Sequence, residues 1–168
     1  MKIKEDIKNF IHNWKTRQHN KRLVKRYPFL KIDLMSKNEL TWLDYIPDGW
    51  KKISLVYFEN IRTVLIQNNA LNLLKFSEVK EKYGSLRIYT YYEYSERAGI
   101  DLNKLYDKID KLISNLEHDT WRLCIYCGKP AAYSTKGWIL PICKFCKEHD
   151  EHVFPNIEFE DWKDWDNG

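Results

Sequence analysis

No window of the 168-residue sequence approaches the roughly 18 unbroken apolar residues that a membrane-spanning helix needs, so a transmembrane segment is not expected. The opening Met1-Lys-Ile-Lys-Glu-Asp6 lacks the apolar stretch and small-residue cleavage site of a secretory signal, which argues against export by the common route. The cytoplasm is the expected compartment. Also missing are a Gly-rich phosphate loop, a Gly-x-Ser-x-Gly elbow and a His-Glu-x-x-His pair, so the usual anchors of nucleotide, acyl-transfer and metalloprotease chemistry are absent. Carboxylates such as Glu59, Glu78 and Glu93 stand singly, without a paired acid or base. The chain is therefore expected not to be an enzyme.

What is present is enough to build a core. Hydrophobic residues make up 43% of the sequence and aromatic residues 15%, which suits one domain or one domain with a small appendage. Charge is distributed unevenly. Residues 1 to 31 hold ten Lys or Arg against Glu5 and Asp6, whereas residues 148 to 168 hold eight Asp or Glu against Lys163. These ends can pair with each other across the fold, or each can meet an outside partner of opposite charge.

Periodicity supplies the elements. Ile3, Ile7, Phe10, Ile11 and Trp14 fall at helical spacing and predict an amphipathic helix of about four turns with a basic polar face, stopped by Tyr27-Pro28. After a stretch without clear pattern, Pro47-Asp48-Gly49 signals a turn. Asp48 is expected to cap a core helix carrying Trp50, Ile53, Val56, Tyr57, Ile61, Val64 and Leu65. The pattern then changes to β. Leu74, Phe76 and Val79 form one strand, and Leu86, Ile88, Thr90, Tyr92 and Tyr94 alternate with Arg87, Tyr89, Tyr91 and Glu93 in the next. Lys82-Tyr-Gly84-Ser forms the turn of this hairpin. Asp101 caps a further helix in which Leu102, Leu105, Tyr106, Ile109, Leu112, Ile113 and Leu116 recur at three and four.

The four cysteines carry the chemistry. Cys124-x2-Cys127 and Cys143-x2-Cys146, fifteen residues apart, match the template of a four-cysteine zinc site, and in a reducing compartment such pairs are metal ligands more often than disulfides. Gly128 suits a left-handed position in the first knuckle. Ala131-Ala-Tyr133 and Trp138-Ile-Leu140, flanking Ser-Thr-Lys-Gly137, predict a short hairpin between the knuckles of a zinc ribbon over residues 121 to 149. Four thiolates saturate one Zn2+ ion and leave no place for water, so the expected role is structural. His149 and His152 are the competing ligands nearby. An HNH-type nuclease needs histidines beside the knuckles, but residues 128 to 142 contain none, and His118-Asp119 reads as a polar helix end.

The string Val79-Lys-Glu-Lys-Tyr-Gly-Ser-Leu-Arg-Ile-Tyr89, with Asp48-Gly-Trp50 before it and Cys124-x2-Cys127-Gly after it, resembles a signature found in a family of small zinc-ribbon proteins of bacteriophages and prophages. It covers about residues 44 to 147. Within the signature, Lys80, Lys82 and Arg87 can grip an anion or pair with Glu78, Glu81 and Glu93. A phage-like, non-enzymatic zinc protein is similar in character to the anti-CRISPR proteins of prophages, which inhibit a type II RNA-guided effector nuclease by binding it. The resemblance therefore implies a host protein as partner and the host cytoplasm as location.

The expected architecture is α+β. Helices pack on a small antiparallel hairpin over residues 1–120, a zinc ribbon spans 121–150, and an acidic aromatic tail spans 151–168. In the tail, Glu158, Glu160, Asp161, Trp162, Asp164 and Trp165 can occupy a basic nucleic-acid channel as phosphate and base mimics, or pack back on the domain. Two alternatives are a phage nucleic-acid-binding protein, resting on the basic N-terminus, the ribbon and Tyr89, Tyr91, Tyr92 and Tyr94, or a phage assembly component.

Overall fold

Proline ends the first helix. In the computed structural model, which describes residues 2–32, 40–93, 101–149 and 157–162, α1 (Lys2–Arg26) stops where Tyr27 is driven out of the helical region, to φ −126° and ψ 80°. At 25 residues α1 is much longer than the four turns that its apolar stripe predicts. Trp14, expected on the buried stripe, is 55% exposed. The reason is that α1 leans on the body from another side: Asn20 is buried and donates to Asp44 Oδ2 at 3.0 Å, and Leu23 packs against the core. Ile3, Ile7, Phe10 and Ile11 have side chains outside the described set.

The chain after Pro28 is a 3-10 turn, Pro28–Leu30, that drives Phe29 and Leu30 into the core. Phe29 meets Phe58 and Phe76 with ring centroids 5.8 and 5.0 Å apart. A second 3-10 turn, Trp42–Tyr45, is closed by a capping box in which Asp44 accepts from the Thr41 backbone, and Trp42 Nε1 donates to Phe76 O at 2.9 Å.

α2 (Asp48–Gln67) buries Trp50, Ser54, Phe58, Ile61 and Leu65. Val56, expected in the core, is 54% exposed, and Phe58 takes its place. The apolar stripe is wide enough in sequence to leave a choice of centre, and docking of Phe29 and Phe76 makes that choice at Phe58. Asp48 does not cap the helix. It is the first residue of the helix, with Pro47 in the cap position, and its carboxylate pairs with Lys51 at 2.6 Å; the Gly49 N–H next to it reaches Ile125 O at 2.9 Å.

β1 (Leu74–Lys82) and β2 (Ser85–Tyr92) form the expected antiparallel hairpin, with Val79 opposite Ile88 and a bulge between Phe76 and Glu78. Tyr83 and Gly84 both take positive φ, 52° and 83°, the combination that matches the twist of the two strands. Tyr94 lies outside the described residues. α3 (Leu102–Trp121) starts where Asp101 accepts from Lys104 N at 3.2 Å, and it buries Leu105, Ile109, Ile113 and Leu116 against α2 and β2.

α3 also closes the outer edge of β2. Leu86 N donates to Thr120 Oγ1 at 3.0 Å and Ile88 N to Glu117 Oε1 at 2.9 Å, so side chains of the helix stand in for a third strand. Thr120 is fully buried. Thr120→Val keeps the shape but strands the Leu86 amide, and it is expected to lower unfolding free energy by about 1 to 3 kcal/mol in urea titration. A loss below experimental error would show that water replaces the hydroxyl.

The remaining elements are β3 (Tyr133–Thr135), β4 (Pro141–Ile142), α4 (Lys144–His149) and β5 (Phe159–Asp161), with strand order β4-β3-β5, all antiparallel. The architecture is α+β, as the sequence implies. Both strands of the ribbon hairpin lie further along the chain than expected: β3 starts at Tyr133, where the expected strand ends, and Pro141 and Ile142, not Trp138 to Leu140, face it. Thr135 explains the shift, because its hydroxyl donates to Trp138 O and accepts from Leu140 N, which makes residues 136–140 the loop. β5 has no counterpart in the expected ribbon. No helix among the described residues is long and apolar enough to cross a membrane.

Candidate metal centre

Two tight turns aim the cysteines at one point. In the first, Cys124 N donates to Lys129 O at 2.7 Å and Gly128 N to Cys124 O at 2.9 Å, with Gly128 at φ 72°, the left-handed position expected of it. In the second, Cys143 precedes α4, and Cys146 N donates to Cys143 Sγ at 3.4 Å. Ile125 N reaches Pro141 O at 2.9 Å and so ties one knuckle to the strand that leads into the other.

The four sulfurs lie within 4.8 Å of one another, with Cys127 Sγ 3.5 Å from Cys143 Sγ. Metal–thiolate bonds of about 2.3 Å set the edge of a tetrahedron near 3.8 Å, so the cluster has the size for one tetrahedral ion. Cys124, Cys143 and Cys146 are buried and Cys127 is exposed. The donor set suits a soft or borderline cation. Four sulfurs fill its coordination sphere. Neither described histidine near the ribbon competes: His149 stacks on Phe145 at 4.2 Å, and His118 stands beside Asp119, which accepts from Tyr57 Oη at 2.6 Å. His152 is outside the described residues.

Burial pushes the Cys124 thiol above its ordinary range, and burial followed by the neighbouring sulfurs pushes Cys146 up as well. Cys143 moves down. Burial opposes that shift, but the Cys146 amide and the surrounding thiols donate to its sulfur and outweigh it. An incoming cation must displace the protons that Cys124 and Cys146 hold. Lowering the pH therefore favours the protonated, metal-free site, and apparent affinity should fall about tenfold per pH unit for each proton displaced. Competition with a chromophoric chelator across neutral pH checks this, and a flat profile would contradict it.

The site is sealed from behind by the α+β unit. Trp50 Nε1 donates to Leu123 O at 2.9 Å, and Gly49 lies so close to the first knuckle that a Cβ there would overlap the Cys124 carbonyl oxygen and come within 2.7 Å of Gly128 N. Reciprocally, a Cβ on Gly128 would overlap the Gly49 carbonyl. A cleft of about 340 Å3 remains open at the rim, lined by Asp48, Lys52, Ile53, Val56, Leu123 and the exposed Cys127. The hairpin turn makes a second contact: a Cβ on Gly84 would lie 3.2 Å from Ile139 O, while Glu81 accepts from Gly84 N at 2.7 Å and from Trp138 Nε1 at 2.8 Å. The Asp48-Gly-Trp50 element and the Tyr83-Gly84 turn thus both grip the ribbon.

The other candidate residues are distributed as follows. Lys80 pairs with Glu78 at 2.8 Å, Arg87 with Glu117 at 3.5 Å, and Lys82 lies 5.5 Å from the Tyr83 ring. Lys80 and Arg87 face each other across the hairpin. Glu158 pairs with Lys136 at 2.7 Å, Glu160 and Asp161 are exposed on β5, and the Trp162 ring sits 4.6 Å from that of Trp121. Asp164 and Trp165 lie outside the described residues. Phe159 packs on the cysteine cluster, and Lys147 of α4 sits 3.6 Å from the Tyr133 ring centroid. Sequence reasoning did not find Gly49, Trp50 and Phe159 as supports of the metal centre. Only Phe159 had a signal, in the alternation of Ile157, Glu158, Phe159 and Glu160.

No protein-family model matches the chain, and neither curated proteins nor solved structures provide a match.

Proposed function

We propose that the chain is a non-enzymatic protein that works by binding, with one Zn2+ ion held by Cys124, Cys127, Cys143 and Cys146 as an internal staple. The four-sulfur donor set supports zinc in a role that shapes surfaces and does no chemistry. The partner is a host defence protein of the type II RNA-guided nuclease class, and the complex forms in the host cytoplasm.

One observation supports this reading best. Glu160 and Asp161 are exposed on β5, the strand at the edge of the ribbon sheet that is hydrogen-bonded to β3, and Glu158 precedes them, paired with Lys136. Carboxylates carried on a strand have already lost their backbone freedom, so they can enter a basic nucleic-acid channel without that ordering cost. The zinc then acts at one remove, by holding β3 and hence β5 in place.

The test is a size-exclusion and cleavage assay with purified type II effector nuclease, guide RNA and target. A stable complex and suppressed cleavage are expected. Glu160→Lys with Asp161→Lys should slow association and restore cleavage while zinc content stays at one ion per chain. Absence of both complex and inhibition sinks the partner assignment and leaves the metal assignment standing.

A further inference from the structure

The C-terminal half of α1 is held from one side. Asn20 is buried against Asp44, Leu23 packs on the core, and Arg26 is engaged by Glu59 at 2.9 Å. Elsewhere around the helix, Trp14, Arg17, Lys21 and Lys25 recur at spacings of three and four, so they run along one face, rising about 1.5 Å per residue. All four side chains are exposed. From Ile7 to Ile32 the sequence has no Asp or Glu and eight Lys or Arg. Partner proteins usually meet a surface of mixed sign, whereas a run without a single acid is suited to a polyanion. The exposed indole in line with the cations adds a flat apolar plate where simple charge attraction has no use for one.

We infer that this face of α1 binds single-stranded nucleic acid, with Arg17, Lys21 and Lys25 against phosphates and the Trp14 ring stacked on a base. A basic track beside an aromatic platform is the arrangement that takes an unpaired strand without reading its sequence. A duplex keeps its base faces covered, so Trp14 selects the single strand. The inference does not depend on the protein partner proposed above.

Fluorescence anisotropy of the full, metal-loaded chain with labelled oligothymidine of about 15 nucleotides tests it. Binding is expected at about 50 mM salt and should weaken about 20-fold by 200 mM, the response of about three phosphate contacts to a single strand. Arg17→Ala and Lys25→Ala should each flatten the salt slope by about 0.7. Trp14→Ala should weaken binding about tenfold with the slope unchanged. All three side chains are exposed, so the melting temperature should not move, and that measurement separates lost binding from lost folding. The inference is overturned by absence of binding at the lowest salt, or by an equally tight duplex with Trp14→Ala neutral. Polyglutamate competing as well as oligothymidine would also overturn it, because it would assign the face to an acidic protein.

Discussion

Exchanging Cys124 for serine is expected to abolish metal retention and to unfold residues 121–149 together with β5. Metal binding to four thiolates contributes on the order of 10 kcal/mol in isolated zinc peptides, comparable with the 5 to 15 kcal/mol that holds a whole domain. The ribbon's own apolar packing is small. Its buried cluster consists of Cys124, Ile142, Cys143 and Cys146, with Ile125, Leu140 and Phe159 packed around it. Three of the four buried members are ligands, so removing the ion leaves buried thiols where there was a core. The α+β unit has its own, much larger cluster around Trp50, Phe58, Leu86 and Ile109, and that should persist. Hydrogen exchange with mass spectrometry would therefore show two classes of amides: those of β3, β4 and β5 deprotected, and those of β1, β2 and α3 slowed as before. Uniform protection after verified metal loss would disprove the structural role.

Gly49→Ala is expected to lower stability by about 3 kcal/mol or more and to accelerate metal loss, although residue 49 touches no ligand sulfur. A methyl group there must push against backbone on both sides, at Cys124 and Gly128, and backbone cannot rotate away as a side chain would. Relief requires α2 and the knuckle to separate. That would break the bond from Gly49 N to Ile125 O and strain the one from Trp50 Nε1 to Leu123 O. Chelator-driven metal release, followed by stopped flow, should be faster in the variant. Gly137→Ala serves as the control, since its Cβ would meet nothing, although φ 83° carries a local penalty of about 1 kcal/mol. Equal release rates in wild type and Gly49→Ala would show that the seam does not brace the metal centre.

What could be read from sequence follows from how local each signal is. The helix from Leu102 to Trp121 repeats its apolar residues every turn and begins at Asp101, so its extent, cap and buried face are written within 21 consecutive residues. The cysteine spacing is legible for the same reason. Asp48 shows how a local rule loses: Pro47 takes the cap position, and the helix start is fixed by the bond from Gly49 N to Ile125 O, a residue far away in sequence. Trp50 and Leu123 are 73 residues apart, and no periodicity connects them. β5 was obscured by composition. The short alternation from Ile157 to Glu160 in a run of acids looks like a solvated tail until Tyr133 is seen opposite Asp161. Val56 and Phe58 differ by two positions on a broad stripe, and only the aromatic cluster distinguishes them.

The order β4-β3-β5 has a consequence during synthesis. β3 and β4 are complete at Ile142, but the strand that covers the other side of β3 ends at Asp161, so a translating ribosome needs about one to four seconds more to deliver it. Over that interval β3 presents an unpaired edge, and the place Phe159 will take beside the cysteines is open to water and to other chains. A chain truncated after His149 should therefore be more prone to aggregate than the full chain and should exchange its metal faster.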